Sequence, residues 1–135
     1  MSEYKNGTSH EGSGMAPWQI AALEQNLRKN KQLDMLTKVM NAAGNPTRMS
    51  ILYLLWRNGE VRVNDLANIL RLTSPAISQQ LKKLRSQSLV DYRRDAQTVY
   101  YRLNLESAFV QHFLTRFFEQ EMLYRELTPP EAAGK

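Results

Sequence analysis

Thr73-Ser-Pro-Ala-Ile-Ser-Gln-Gln-Leu-Lys-Lys-Leu84 is the stretch whose reading decides the fold. Ser74 ahead of Pro75 marks a helix start, because a hydroxyl caps free amides and the fixed φ of proline suits the first turn. Ile77, Leu81 and Leu84 recur at helical spacing and make one buried face. The opposite face carries Pro75, Ser78, Gln79 and Lys82, and is short, polar and basic. Hydroxyls and amides of that size reach base edges in the major groove of DNA, where glutamine suits adenine, while lysines hold phosphates. Taken alone, the same face also fits the solvated side of any amphipathic helix.

The residues just upstream decide between the two. Val63-Asn-Asp-Leu-Ala-Asn-Ile-Leu70 reads as a short helix with Leu66, Ile69 and Leu70 facing inward, and Arg71-Leu72-Thr73 is a turn. A short helix, a turn of three to four residues and a second capped helix form a helix-turn-helix, in which the first helix braces the second against DNA. Ala67 suits a close helix crossing. Arg71 stands where such turns favour glycine, and a left-handed backbone there costs roughly 1 kcal/mol.

Downstream the period changes. Leu89-Val-Asp-Tyr-Arg-Arg94 and Thr98-Val-Tyr-Tyr-Arg-Leu103 are rich in β-branched and aromatic residues, with Asp95-Ala96-Gln97 between them, which predicts a β-hairpin. Its basic tip makes it a wing, with Arg93 and Arg94 gripping phosphate or entering the minor groove. A charged, solvated edge hairpin is the alternative.

Farther upstream, Leu33 to Ala43 and Pro46 to Trp56 read as two helices, the second apolar on most sides and stopped by Asn58-Gly59. Pro17 to Leu27 begins another, whose stripe of Trp18, Ile20, Leu23 and Leu27 is too short to stand alone. Glu106 to Arg125 is a final long helix with Phe109, Phe113, Leu114, Phe117 and Phe118 along it. Both stripes exceed what a small core needs, and predict a homodimer interface of Trp18, Ile20, Leu23, Leu27, Phe109, Phe113, Leu114 and Phe117. The competing reading folds both back onto the chain's own core. Residues 1–15 and 127–135 read as disordered tails, His10 included, and 16–126 as one domain.

Composition agrees. The chain has 135 residues, a net charge of +5 and a pI near 9.6, which suits a polyanionic partner. Between Arg71 and Arg102 seven basic residues face two acids, so the surplus is local. The absence of cysteine removes disulfides, thiolate metal sites and thiol redox sensing. With neither a membrane-length apolar run nor an apolar signal core, the expected location is cytoplasmic.

The order of elements resembles the ArsR family of winged-helix repressors over about Leu33 to Phe118. Gly44-Asn-Pro-Thr-Arg-Met-Ser-Ile-Leu52 is similar to that family's lead into its central helix, and Ser74 to Leu84 to its recognition helix. Arg93-Arg-Asp-Ala-Gln-Thr-Val-Tyr-Tyr101 is similar to the wing of the metal-independent branch, which includes nodulation-gene repressors and hemolysin-expression regulators. The resemblance implies a mainly α winged helix-turn-helix with a small β-hairpin. It implies a homodimer that binds an inverted repeat in double-stranded promoter DNA as a repressor. The implied contacts are Thr73, Ser74, Pro75, Ser78, Gln79, Gln80, Lys82 and Lys83 on the helix, and Arg93, Arg94, Gln97 and Thr98 at the wing. Ser74 stands where relatives often have glutamine, and Gln80 where histidine is usual.

Metal sensing, the family's best-known activity, finds only fragments of a ligand set here. Val61 to Ala67 holds no cysteine; Asn104 and Glu106 stand near the start of the last helix, with His112, Thr115, Glu119 and Glu121 farther along, short of a four-ligand zinc site. No metal or cofactor is expected. No nucleophile–base pair, glycine-rich phosphate loop or carboxylate pair points to an enzyme. Two further readings stay open. One is an effector-responsive sensor, with Trp18, Phe113, Phe117 and Tyr124 lining a pocket between subunits. The other is a protein-interaction module, which the basic outer face disfavours.

Overall fold

The computed structural model describes residues 14–127, with side chains up to Leu123, so residues 1–13 and 128–135 of the predicted tails, His10 and the Tyr124 side chain lie outside it. Along the chain come α1 (Pro17–Lys29), α2 (Lys31–Ala43), α3 (Pro46–Asn58), β1 (Val61–Arg62), α4 (Val63–Leu70), α5 (Ser74–Ser86), β2 (Val90–Asp95) and β3 (Thr98–Leu103). A π-helical turn, Val110–Leu114, then leads into α6 (Thr115–Leu127).

The chain divides into two units, the first running through Met35 and the second starting at Leu36. In the first, α1 buries no residue, and Trp18 is 71% exposed. Its start is held by the Ala16 amide, which donates to Gln19 Oε1 at 2.8 Å, and its surface by an exposed Arg28–Glu24 pair one turn apart.

The second unit is built around α3. Asn45 caps it by accepting from the Arg48 amide at 3.0 Å, Pro46 takes the first turn, and Gly59 ends it at φ 85°, a backbone that favours glycine. Ile51, Leu52 and Leu55 point into a core shared with Leu66 of α4, Ile77, Leu81 and Leu84 of α5, Leu89, Leu103, Val110 and Phe118. Tyr53 meets Phe118 edge-on at 5.3 Å, and Trp56 lies 5.5 Å from the same ring.

The three strands pair antiparallel in the order β1-β3-β2. Strand β1 has two residues and no sequence pattern of its own; Val61 and Arg62 pair with Tyr101 and Tyr100. The hairpin predicted for 89–103 forms, with Asp95 paired to Thr98 and therefore a two-residue loop, Ala96 and Gln97, in place of three.

Other expectations shift. Thr73, not Ser74, caps α5, its hydroxyl accepting from the Ala76 amide at 3.2 Å. Ile69 is 55% exposed, because the tight turn after α4 places Leu66 and Ala67 on the buried side. Leu114, expected in a dimer interface, is only 5% exposed and belongs to this chain's own core. The π-helical turn explains it: Val110, Leu114 and Phe118 stay on one buried face, where a uniform α-helix would rotate each four-residue step by about 40°. Phe113 and Phe117 are left outward, at 55% and 66% exposed.

Candidate nucleic-acid interface

Helices α4 and α5 are held at a fixed angle by the turn between them. Arg71 adopts φ 59° and ψ 45°, the left-handed conformation expected of that position, and the Leu72 amide donates to the Ala67 carbonyl at 3.0 Å. Buried Ala67 allows the close crossing. Ser74, freed from capping, donates its hydroxyl to Asn64 Oδ1 at 2.6 Å and pins the start of α5 to α4.

Three buried leucine and isoleucine side chains fix which way α5 faces. Pro75, Ser78, Gln79, Lys82 and Lys83 are therefore exposed. Ser78, Gln79, Lys82 and Lys83 carry no side-chain hydrogen bond or ion pair within the described residues. Gln80 differs from them in having a partner. It is half-buried on the flank of the helix, and its Oε1 accepts from Arg48 Nη1 at 2.7 Å. Arg85 on the other flank lies over the Tyr92 ring, 4.7 Å from its centroid, and so ties the helix to the hairpin.

The two wing arginines alternate across the sheet and have different fates. Arg93 forks onto Glu60, with Nη2 at 2.9 Å, lies 3.9 Å from Asp95, and covers the Tyr100 ring at 4.5 Å. Arg102 joins the same Glu60 at 3.3 Å and Asp91 at 3.5 Å. The Arg93 hydrogen bonds, with the charges of Arg93 and Arg102, hold the Glu60 carboxyl below its usual range, and Glu60 in turn raises Arg93. Arg93 is thus ion-paired within the chain, where the sequence reading expected a cation free for phosphate. Arg94 is exposed and without a side-chain partner among the described residues. Arg62 is occupied by a bidentate pair with Asp65, which raises its pKa.

Gln97 is exposed at the tip and Thr98 is half-buried beside it. Both line a polar cleft of about 280 Å³ together with Ser78, Arg62 and Asn64, so the wing tip and recognition helix border one recess. Arg48, Glu60 and Asn64 have no place in the sequence expectations. Arg48 and Glu60 act on residues 32 and 33 positions away, beyond any local pattern. Among the described residues no group of three or more His, Cys, Asp and Glu side chains is placed to hold a metal ion. Nor is any helix there long and apolar enough to cross a membrane.

A braced recognition helix with an unpartnered polar face, followed by a three-stranded wing, defines a winged helix-turn-helix protein. Residues 45–92 match the family described as bacterial regulatory protein, arsR family. Nodulation protein NolR of Rhizobium meliloti is 42% identical over 73 residues, 54% of this chain and 59% of its own length. Transcriptional activator HlyU of Vibrio cholerae is 37% identical over 89 residues, 66% of this chain and 76% of its own. A solved HlyU structure from that species superposes with a TM-score of 0.58 at 34% identity, over 73% of this chain and 97% of that one. A homodimeric winged helix-turn-helix DNA-binding domain from Mycobacterium bovis gives 0.56 at 25% identity, over 84% and 90%. The chain belongs to the ArsR family of bacterial transcriptional regulators, which places it among regulators and not enzymes.

Proposed function

We propose that the protein is a repressor that binds an inverted repeat in promoter DNA as a homodimer, in the cytoplasm. The observation that carries this is the outward face of α5, whose Ser78, Gln79, Lys82 and Lys83 have no side-chain partner among the described residues. Pro75, Ser78 and Gln79 meet base edges, while Thr73, Ser74, Lys82 and Lys83 border the backbone. At the wing, Arg94, Gln97 and Thr98 take the adjacent phosphates or minor groove. Residues 16–126 act as one DNA-binding domain with dimerising ends. The exposed Trp18, Ile20, Leu23 and Leu27 of α1, and Phe113 and Phe117 near the C-terminal end, supply apolar surface for a second copy, with half-buried Phe109 stacked on Phe113 at 5.3 Å. The homodimeric relative from Mycobacterium bovis supports that state.

Selection of bound duplexes from a random pool tests the reading. The expected product is an inverted repeat with half-sites about one helical turn apart, near 34–36 Å centre to centre. Weak binding with no enriched sequence would refute it.

A further inference from the structure

Arg48 sits in the first turn of α3, and its guanidinium binds two elements at once. Nε donates to the Ala42 carbonyl and Nη2 to that of Asn41 at 3.4 Å, two of the carbonyls that the end of α2 leaves without helical partners. The remaining arm, Nη1, donates to Gln80 Oε1 on the recognition helix. A guanidinium has donors only, so the amide of Gln80 must turn its oxygen toward Arg48. Its oxygen, with one lone pair taken, is held on the Arg48 side, so the two N–H donors are what the amide turns away from Arg48, and they have no acceptor among the described residues. Gln79, one residue earlier, is exposed, and neither end of its amide has a partner among the described residues. The two adjacent glutamines are chemically different readers.

We propose that Arg48 is a specificity-determining positioning residue that makes Gln80 a donor-only reader of the operator. The proposal rests on the DNA-binding function above. Gln80 then selects an acceptor edge in the major groove, guanine O6 and N7 first and thymine O4 second. It disfavours cytosine, whose N4 amine would meet the Gln80 amine donor to donor. Adenine gains little, because its bidentate reading by glutamine needs the amide oxygen as well, and that pairing is left to Gln79. Turning the Gln80 oxygen outward would break a charge-assisted bond and strand a part-buried guanidinium N–H, so the orientation is held.

Selections from a random duplex pool, with melting temperatures, would compare the full-length wild type with Gln80→Leu, Gln80→Glu, Arg48→Lys and Arg48→Met. The wild type is expected to favour guanine or thymine over cytosine about tenfold at one position of each half-site. Gln80→Leu and Arg48→Met flatten that position and leave the others, and Arg48→Lys restores part of it. Gln80→Glu gives Arg48 one oxygen and shows DNA the other, so the preference inverts toward the cytosine amine. Gln80 is half-buried and outside the core, so its two variants keep the test alive if Arg48→Met fails to fold. A uniform loss of affinity at all positions in Gln80→Leu, or no inversion in Gln80→Glu, overturns the proposal while leaving DNA binding intact. If the wild type itself enriches no sequence, the DNA-binding reading falls and takes this one with it.

Discussion

Arg94→Ala and Arg93→Ala are predicted to differ in kind, although the residues are neighbours in a basic pair. Arg94 is exposed and has no side-chain partner among the described residues, so its charge is available to a phosphate. Each phosphate contact contributes about 0.9 to the slope of log affinity against log salt, through release of condensed counterions. A homodimer loses two such contacts in Arg94→Ala, a change of about 1.8. Between about 50 mM and about 200 mM salt that slope difference amounts to roughly twelvefold, so the wild-type advantage seen at low salt largely disappears at high salt. Arg93 is committed to Glu60, Asp95 and the Tyr100 ring. Its removal leaves the half-exposed Glu60 with Arg102 alone and loosens the wing, so the melting temperature falls and the salt slope stays within about 0.5 of wild type. Fluorescence anisotropy of a labelled operator across the salt series, beside thermal unfolding, separates the two. Arg93→Ala flattening the slope as much as Arg94→Ala would refute the reasoning, because it would show that Arg93 leaves Glu60 to meet DNA.

Two stability predictions follow from the same geometry. Arg71→Gly removes a side chain from a left-handed backbone at φ 59°, and is expected to stabilise by about 1 kcal/mol, or roughly 4 °C in melting temperature; a lower melting temperature would sink the assignment of strain to that turn. Glu60, held by Arg93 below its ordinary carboxylate value of 4.5, binds fewer protons folded than unfolded. Its contribution is therefore full above that value and lost as pH falls through the lowered one. The melting-temperature gap between wild type and Glu60→Gln should be constant near neutrality and close below about pH 4.5, and a gap independent of pH would show that the network does not stabilise the fold.

The sequence by itself determined the helices, the hairpin and their order, though neither the two-residue strand β1 nor the π-helical turn. Apolar residues at helical spacing, the start at Asn45, Gly59, and β-branched runs around a short polar loop all act within a few residues, where steric and hydrogen-bonding preferences are decided locally; the cap of α5 is Thr73, one residue before the Ser74 expected. The exposed face of α5 was equally legible, since burying Ile77, Leu81 and Leu84 fixes where Gln79 and Lys82 point.

Only the tertiary structure decided how the charges and amides are used. Besides a long contact to Asp95, what distinguishes Arg93 from Arg94 is Glu60, brought alongside by β1 pairing with β3 from 33 positions away. Gln80 reads as an outward polar residue until Arg48, 32 positions earlier, takes its oxygen. Leu114 reads like its aromatic neighbours until the widened turn at Val110–Leu114 rotates it into the core and leaves Phe113 and Phe117 outside. The physical reason is common to all three. Local propensity sets which element forms, but which polar group finds a partner, and which apolar one finds the core, depends on contacts made only when distant segments pack.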